Sequence, residues 1–218
     1  MKIAKLLFPL PTLLVCFGCG NPADKVAEAT VSSKTNAPAE SAKATPAASA
    51  NARAYTFGPD NSSINFIGSK VTGKHDGGFK QFSGELKVVD GKLADTGNKV
   101  VIQMESLWAD NDRLTGHLKS PDFFNVAQIP TATFETTAIK TGETNSTVTG
   151  NLTLHGVTKQ ISFPATIQVS DSSVDMNAEF FIKRMDFDVK YPGKPNDLIR
   201  NEVVLKLKVK ATPGEKKA

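Results

Sequence analysis

Two cysteines three positions apart, Cys16 and Cys19, have a spacing that in isolation would suit thiol redox chemistry or a metal. Their context argues otherwise. Both lie behind Lys2, Lys5 and an apolar run from Leu6 to Val15, and no cysteine follows in the rest of the 218 residues. The histidines His75, His117 and His155 stand about forty residues apart, without the close spacing of a typical metal site. His155, within Leu154-His155-Gly156, is expected to bond local backbone, and His117 to sit on a helical insert. Lys183 and Arg184 could meet an acidic head group, although a surface ion pair is the plainer expectation for them. The chain shows no G-x-S-x-G elbow, no paired-carboxylate constellation and no phosphate loop, so nothing positive supports catalysis.

Charge narrows the partners. The formal net charge is +4, and loss of Lys2 and Lys5 with an export signal would leave about +2. Lys206, Lys208 and Lys210 alternate on one face of a strand and read as a solvated face, not a basic groove. No nucleic-acid partner is expected.

The N-terminal apolar run carries Pro9 and Pro11 and is about half the roughly 20 residues a membrane-spanning helix needs. Residues 1–18 are expected to be a signal peptide. Gly18 is the small residue a signal peptidase requires, and Cys19 directly after it resembles the bacterial lipoprotein pattern, in which that cysteine receives acyl chains. Cys16 and Phe17 depart from the commoner Leu and small residue. Cys19 is the candidate lipidation site and membrane anchor, with ordinary secretion as the alternative. Gly20 and Asn21 do not form the aspartate-type retention signal of inner-membrane lipoproteins. The expected location is therefore the bacterial cell envelope, facing the periplasm, with the outer membrane favoured. Residues 19–53 are rich in Ala, Ser, Thr, Pro, Lys and Glu, without aromatics or sustained period, and are expected to form a lipid-anchored disordered tether spanning about 30 Å. A folded domain over 54–212 and a flexible tail over 213–218 complete the organisation.

Within the domain the pattern is that of sheet. Ile64 and Phe66 alternate with Ser63 and Asn65; Ile161, Phe163, Ala165, Ile167 and Val169 share one face; Leu205, Leu207 and Val209 oppose the lysines. Turn signals at Asp76-Gly77-Gly78, Asp90-Gly91, Gly142-Glu143 and Asp171-Ser172-Ser173 favour short antiparallel connections. Eight or nine such strands must stack as a sandwich or close into a barrel, and periodicity alone does not choose. One helical insert interrupts them at about 110–126. Leu114 and Leu118 share a helical face, Ser120 and Pro121 read as the N-cap and first helical position of a second short turn, so that two small helices are expected, and Pro130 stops the helix. Phe123 and Phe124 point about 100° apart, so the insert needs a broad apolar surface beneath it, like a lid.

Several motifs now combine. His117-Leu118-Lys119-Ser120-Pro121-Asp122-Phe123-Phe124-Asn125-Val126 with Pro130-Thr131-Ala132-Thr133-Phe134, then Gly150 to Lys159, then Arg184-Met185-Asp186-Phe187, resemble the YceI-like family of bacterial polyisoprenoid-binding proteins. Ile64-Asn65-Phe66 and Gly84-Glu85-Leu86 fit as well, so the resemblance covers about Tyr55 to Ala211. It implies an all-β, extended eight-stranded antiparallel lipocalin-like barrel whose lumen takes an apolar lipid, an amphiphilic isoprenoid or isoprenoid quinone, with no cofactor and no catalysis. The residues expected to line that lumen are Phe66, Phe82, Trp108, Leu118, Phe123, Phe134, Leu152, Leu154, Phe163 and Phe180. Phe180, in register with Ala178 and Ile182, should point inward and Phe181 outward. A ligand-free envelope scaffold or stress-related interaction protein and a hydrolase of lipidic substrates are the alternatives, and monomer and homodimer both stay open.

Overall fold

The computed structural model describes residues 20–33 and 52–214. The expected signal peptide and Cys19 lie outside the described residues, as do 34–51 and 215–218. In chain order the strands are β1 (Ala27–Glu28), β2 (Thr30–Ser33), β3 (Arg53–Phe57), β4 (Ser63–Lys70), β5 (Gly73–Phe79), β6 (Phe82–Val89), β7 (Lys92–Leu93), β8 (Lys99–Gln103) and β9 (Leu107–Ala109). The helix α1 (Asp112–Lys119) follows, then β10 (Thr131–Lys140), β11 (Ser146–Leu154), β12 (Val157–Val169), β13 (Val174–Lys183), β14 (Gly193–Lys194) and β15 (Asp197–Pro213).

Eight strands close an antiparallel barrel in the order β13, β12, β11, β10, β8, β6, β3, β15, with β15 returning to pair β13. The strands β4, β5 and β9 extend from the edge of β15 above the point where β3 joins it. The closing turns are those that the strand twist favours. His155 and Gly156 both have positive φ between β11 and β12, as do Asp90 and Gly91 between β6 and β7.

The half of the barrel nearest the 170–173 turn is solid. Tyr55, Phe57, Phe82, Leu86, Val88, Val174, Val209 and Ala211 form one buried cluster there. The Tyr55 hydroxyl, on a residue 1% exposed, donates toward the carbonyls of Ser170 and Asp171 at 3.1 and 3.2 Å. The opposite half stays open beneath α1, whose N-cap is Asn111, with Oδ1 accepting from Leu114 N–H at 2.9 Å.

Four expectations are corrected. Ser120 is the C-cap of α1 and not the start of a second helix; residues 121–124 form turns, and Asn125 reverses the chain at φ 46°. Asp76-Gly77-Gly78 is not a turn but the middle of β5. The glycines are needed there because a Cβ on Gly77 would stand 2.3 Å from the Phe66 ring and 2.6 Å from the Trp108 carbonyl. The tether expected over 19–53 is structured between 20 and 33. Pro22–Lys25 form a 3₁₀ turn, Ala23 is buried with Ile67 and Val204, and β1 and β2 pair with β13 and β12. The composition hides this because the burial falls on two alanines, with paired backbone in place of large side chains. Pro213, expected in the tail, ends β15 opposite Tyr55.

Candidate functional site

Above the solid half lies an apolar cavity of about 150 Å³ inside the barrel. Its walls come from alternate, inward positions of many strands: Phe66 on β4, Phe134 on β10, Leu152 and Leu154 on β11, Phe163 on β12 and Phe180 on β13. Phe180 is 1% exposed and Phe181 packs with the outer cluster around Ile67 and Val204, as the strand alternation requires. Arg184 is the one polar residue among those lining the cavity.

Adjoining the cavity is a mouth of about 330 Å³ that shares Phe66, Phe124, Arg184, Val189 and Val203 with it. Leu114, Leu118 and Phe123 face this mouth from α1 and the following turn. Phe123 is buried, and its ring meets His117 at 5.0 Å and Tyr191 at 5.0 Å, while His117 and Tyr191 stand 4.8 Å apart. This three-ring contact ties the helical insert to the 190s loop across the opening. The polar rim comprises Lys70, His75, His117, Tyr191, Lys194 and Asp197.

Four residues expected in the lumen stand elsewhere: Leu118 and Phe123 at the mouth, and two outside both. Phe82 is buried against Phe57, ring centroids 6.3 Å apart, and packs behind that ring without bordering the cavity. Trp108 lies on β9 opposite Gly78; its neighbours Leu107 and Ala109 are the buried ones, so alternation turns the indole away from the cavity. In their place sequence reasoning missed Phe57, Phe124 and Val189. Phe124 was legible as half of the Phe-Phe pair, whereas Val189 follows a left-handed residue, Asp188, outside any strand period.

Arg184 departs from the surface ion pair expected for it. It is 5% exposed, and its guanidinium donates only to carbonyls: Nε to Arg200 at 3.0 Å, Nη2 to Ile199 at 3.2 Å, and Nη1 to Val189. Burial pushes its pKa below the ordinary arginine value, yet guanidinium stays charged in proteins. A positive charge thus sits at the junction of mouth and cavity, fixed by backbone. Lys183 does form an ion pair, with Glu28 at 2.6 Å.

At the rim, Asp197 accepts from Lys70, and from Thr72 Oγ1 at 2.8 Å. These bonds hold its carboxyl below the usual range. Burial works against Asp110, yet the hydrogen bond with His75 Nδ1 at 2.8 Å and the Asp76 N–H lower its pKa all the same. His117 Nε2 lies 3.0 Å from Asp122, and His155 Nδ1 lies 3.3 Å from the carbonyl of Phe187, a residue distant in the chain, in place of the local turn backbone expected of it.

Comparison with known proteins agrees with the fold. The crystal structure of Burkholderia cenocepacia BcnA matches with a TM-score of 0.64 at 25% identity, covering 70% of this chain and 98% of that one. A polyisoprenoid binding domain from Saccharophagus degradans, implicated in plant cell wall breakdown, shares the fold with a TM-score of 0.58 at 17% identity, over 74% of this chain and 99% of that one. A UPF0312 protein of Pseudomonas putida strain W619 is 36% identical over 124 residues, which are 54% of this chain and 65% of the relative's length. The model of the YceI-like domain matches residues 55–211, and by that match this chain belongs to the YceI-like domain family.

Proposed function

We propose that this domain is a non-catalytic binder or carrier of an amphiphilic isoprenoid-type lipid, such as a polyisoprenoid or isoprenoid quinone, with the apolar chain in the lumen and the polar head at the mouth. The observation that carries the reading is that an apolar cavity and a polar-rimmed mouth lie against each other and share Phe66, Phe124 and Arg184 as lining. Each buried CH₂ contributes about 0.8 kcal/mol in transfer terms, so an isoprenoid chain can bind by area alone, with few polar contacts. The fixed charge of Arg184 suits an anionic or carbonyl head group entering from the mouth.

The same reading places the protein in the bacterial envelope, facing the periplasm and held through acyl chains on Cys19, with the outer membrane favoured. Because residues 22–33 lie along the barrel wall, such an anchor would hold the barrel close to the bilayer and not at the end of a long leash.

Native mass spectrometry of the protein taken from its own envelope tests the proposal. An apolar lipid that co-purifies and is lost on delipidation is the expected result. An empty barrel would favour a scaffold, and turnover of a lipid ester by the purified chain would favour a hydrolase; either overturns carriage.

A further inference from the structure

An apolar void of about 150 Å³ accepts a guest the size of benzene, so a chain of several isoprene units requires the barrel wall to yield somewhere. The wall is not uniform. Pairing of β13 with β15 runs unbroken from Val174 opposite Ala211 to Lys183 opposite Glu202, and that of β11 with β12 from Ser146 opposite Ala165 to Leu154 opposite Val157. Between β12 and β13 pairing stops at Thr166 opposite Asn177. Toward the mouth the two strands part, and residues 27–33 fill the gap. Ala27 and Glu28 pair in parallel with Phe180 and Phe181, Ala29 N–H donates to the Phe181 carbonyl at 2.9 Å, and Thr30 to Ser33 pair antiparallel with Ser162 to Lys159. Ala29, 1% exposed, belongs to the same buried cluster as Ile161, Phe163 and Phe180, which line the lumen. At this place the segment is the barrel wall.

Little holds it there. Its buried side chains are Ala23 and Ala29, with Val26 and Val31 partly covered; the other side chains of β1 and β2 are exposed, and its ion pair, Glu28 with Lys183, is about half exposed. Elements with few buried apolar contacts open at the lowest free energy. On the outer surface, where β12 and β13 part, a groove of about 530 Å³ is lined by Pro164–Thr166, Asn177–Glu179 and Lys206–Lys208. Leu207 borders both this groove and the lumen, so the wall beside the seam is one side chain thick. The segment lies outside the matched domain, which begins at residue 55.

We propose that residues 27–33 are a displaceable wall strand, and that its withdrawal opens the lumen sideways between β12 and β13 for an apolar chain to pass. The portal rests on the lumen reading above; the displaceable strand does not. The test uses the full chain with Cys16 and Cys19 replaced by Ser, in three forms: unaltered, Ala29→Glu, and a disulfide lock, Thr30→Cys with Ser162→Cys, placed at registered partners. Hydrogen exchange at 159–162 and 180–183 reads the strand, and release of preloaded N-phenyl-1-naphthylamine reads the portal. Ala29→Glu should raise exchange at both edges and probe release about tenfold or more, and the lock should slow both. Adding a peptide of residues 20–33 to Ala29→Glu should restore protection. Unchanged exchange in Ala29→Glu overturns the displaceable strand. A locked form that releases probe as fast as the unaltered chain overturns the portal and leaves the mouth as the route. A dimer whose seam loses protection on dilution shows the strand to be donated by a second copy, and overturns its assignment to its own barrel. Failure of every form to take up probe overturns the lumen reading and the portal with it, while the exchange pattern still decides the strand.

Discussion

The rings of Phe163 and Phe180 lie stacked with centroids 4.1 Å apart and planes 10° from parallel, on β12 and β13 at the level where those strands no longer pair. Their contact therefore joins β12 to β13 directly where the backbones of the two strands are linked through residues 27–33. Both are buried and both line the cavity, so truncation of either removes a ring from the wall and enlarges the void. Phe180→Ala is expected to cost about 3–5 kcal/mol in urea unfolding. Because the two rings touch, Phe163→Ala with Phe180→Ala should depart from additivity by about 0.5–1.5 kcal/mol; strict additivity would show that the stack carries no coupling of its own.

A charge at the throat should discriminate between the rings of the mouth and the indole behind them. Phe124 borders both mouth and cavity, whereas Trp108 borders neither. Phe124→Asp would set a carboxylate on the path of the apolar chain at the cost of burying a charge, and retention of a co-purified lipid should fall by at least tenfold. Trp108→Glu should leave retention within about twofold of the unaltered protein, because no lining is lost. Equal losses in the two variants, in chains with unchanged circular dichroism, would refute the placement of the throat.

The strands were legible because they are half-wet, whereas their closure into a barrel rested on the family resemblance and not on the period. The lysines of β15 alternate with Leu205, Leu207 and Val209, and that period fixes which side is in. The short α1 was legible from Leu114 and Leu118, which do face the mouth together. Periodicity alone failed at Trp108: β9 is three residues long, too short for an alternation to be read, and an aromatic residue there was assigned by size. Phe82 failed differently, since it does face inward, but among Tyr55, Phe57 and Leu86, where Phe57 stands between it and the cavity. Which inward residues border empty space depends on the volumes of all their neighbours, a property no single strand records. The wall role of residues 27–33 left no signal for the same reason, because its key side chain is an alanine whose burial is decided by the gap it meets.

Gly77 is a backbone-level test of the cavity. A methyl at this position would come within 2.3 Å of the Phe66 ring and 2.6 Å of the Trp108 carbonyl. The ring can turn, but the carbonyl belongs to the paired strand β9 and cannot recede without breaking its ladder with β5. Gly77→Ala is expected to destabilise the domain by about 1–3 kcal/mol and to shift Phe66 toward the lumen, reducing ligand capacity as well as stability. Thermal unfolding together with probe titration checks both; a stable variant of normal capacity would mean that β9 is free to move away.

The rim of the mouth should respond to acid through Asp197. Its carboxylate joins Lys70 at the end of β4 and Thr72 in the turn before β5 to the start of β15, and those hydrogen bonds hold its pKa below the ordinary 3.8. A group whose folded-state pKa is depressed contributes stability that is fully present above its unfolded value and is lost as pH falls through the folded one. The stability difference between the unaltered protein and Asp197→Asn should therefore be constant from neutral pH down to about 5, shrink below the ordinary carboxylate pKa, and vanish once the folded-state carboxyl is protonated. The Thr72 amide, which donates to Asp197 Oδ1 at 3.3 Å, should report the same event in an NMR titration with a midpoint below 3.8. A midpoint at or above that value would mean that the Lys70 and Thr72 contacts do not stabilise the charged form, and that the rim is held by the rings of His117, Phe123 and Tyr191 alone.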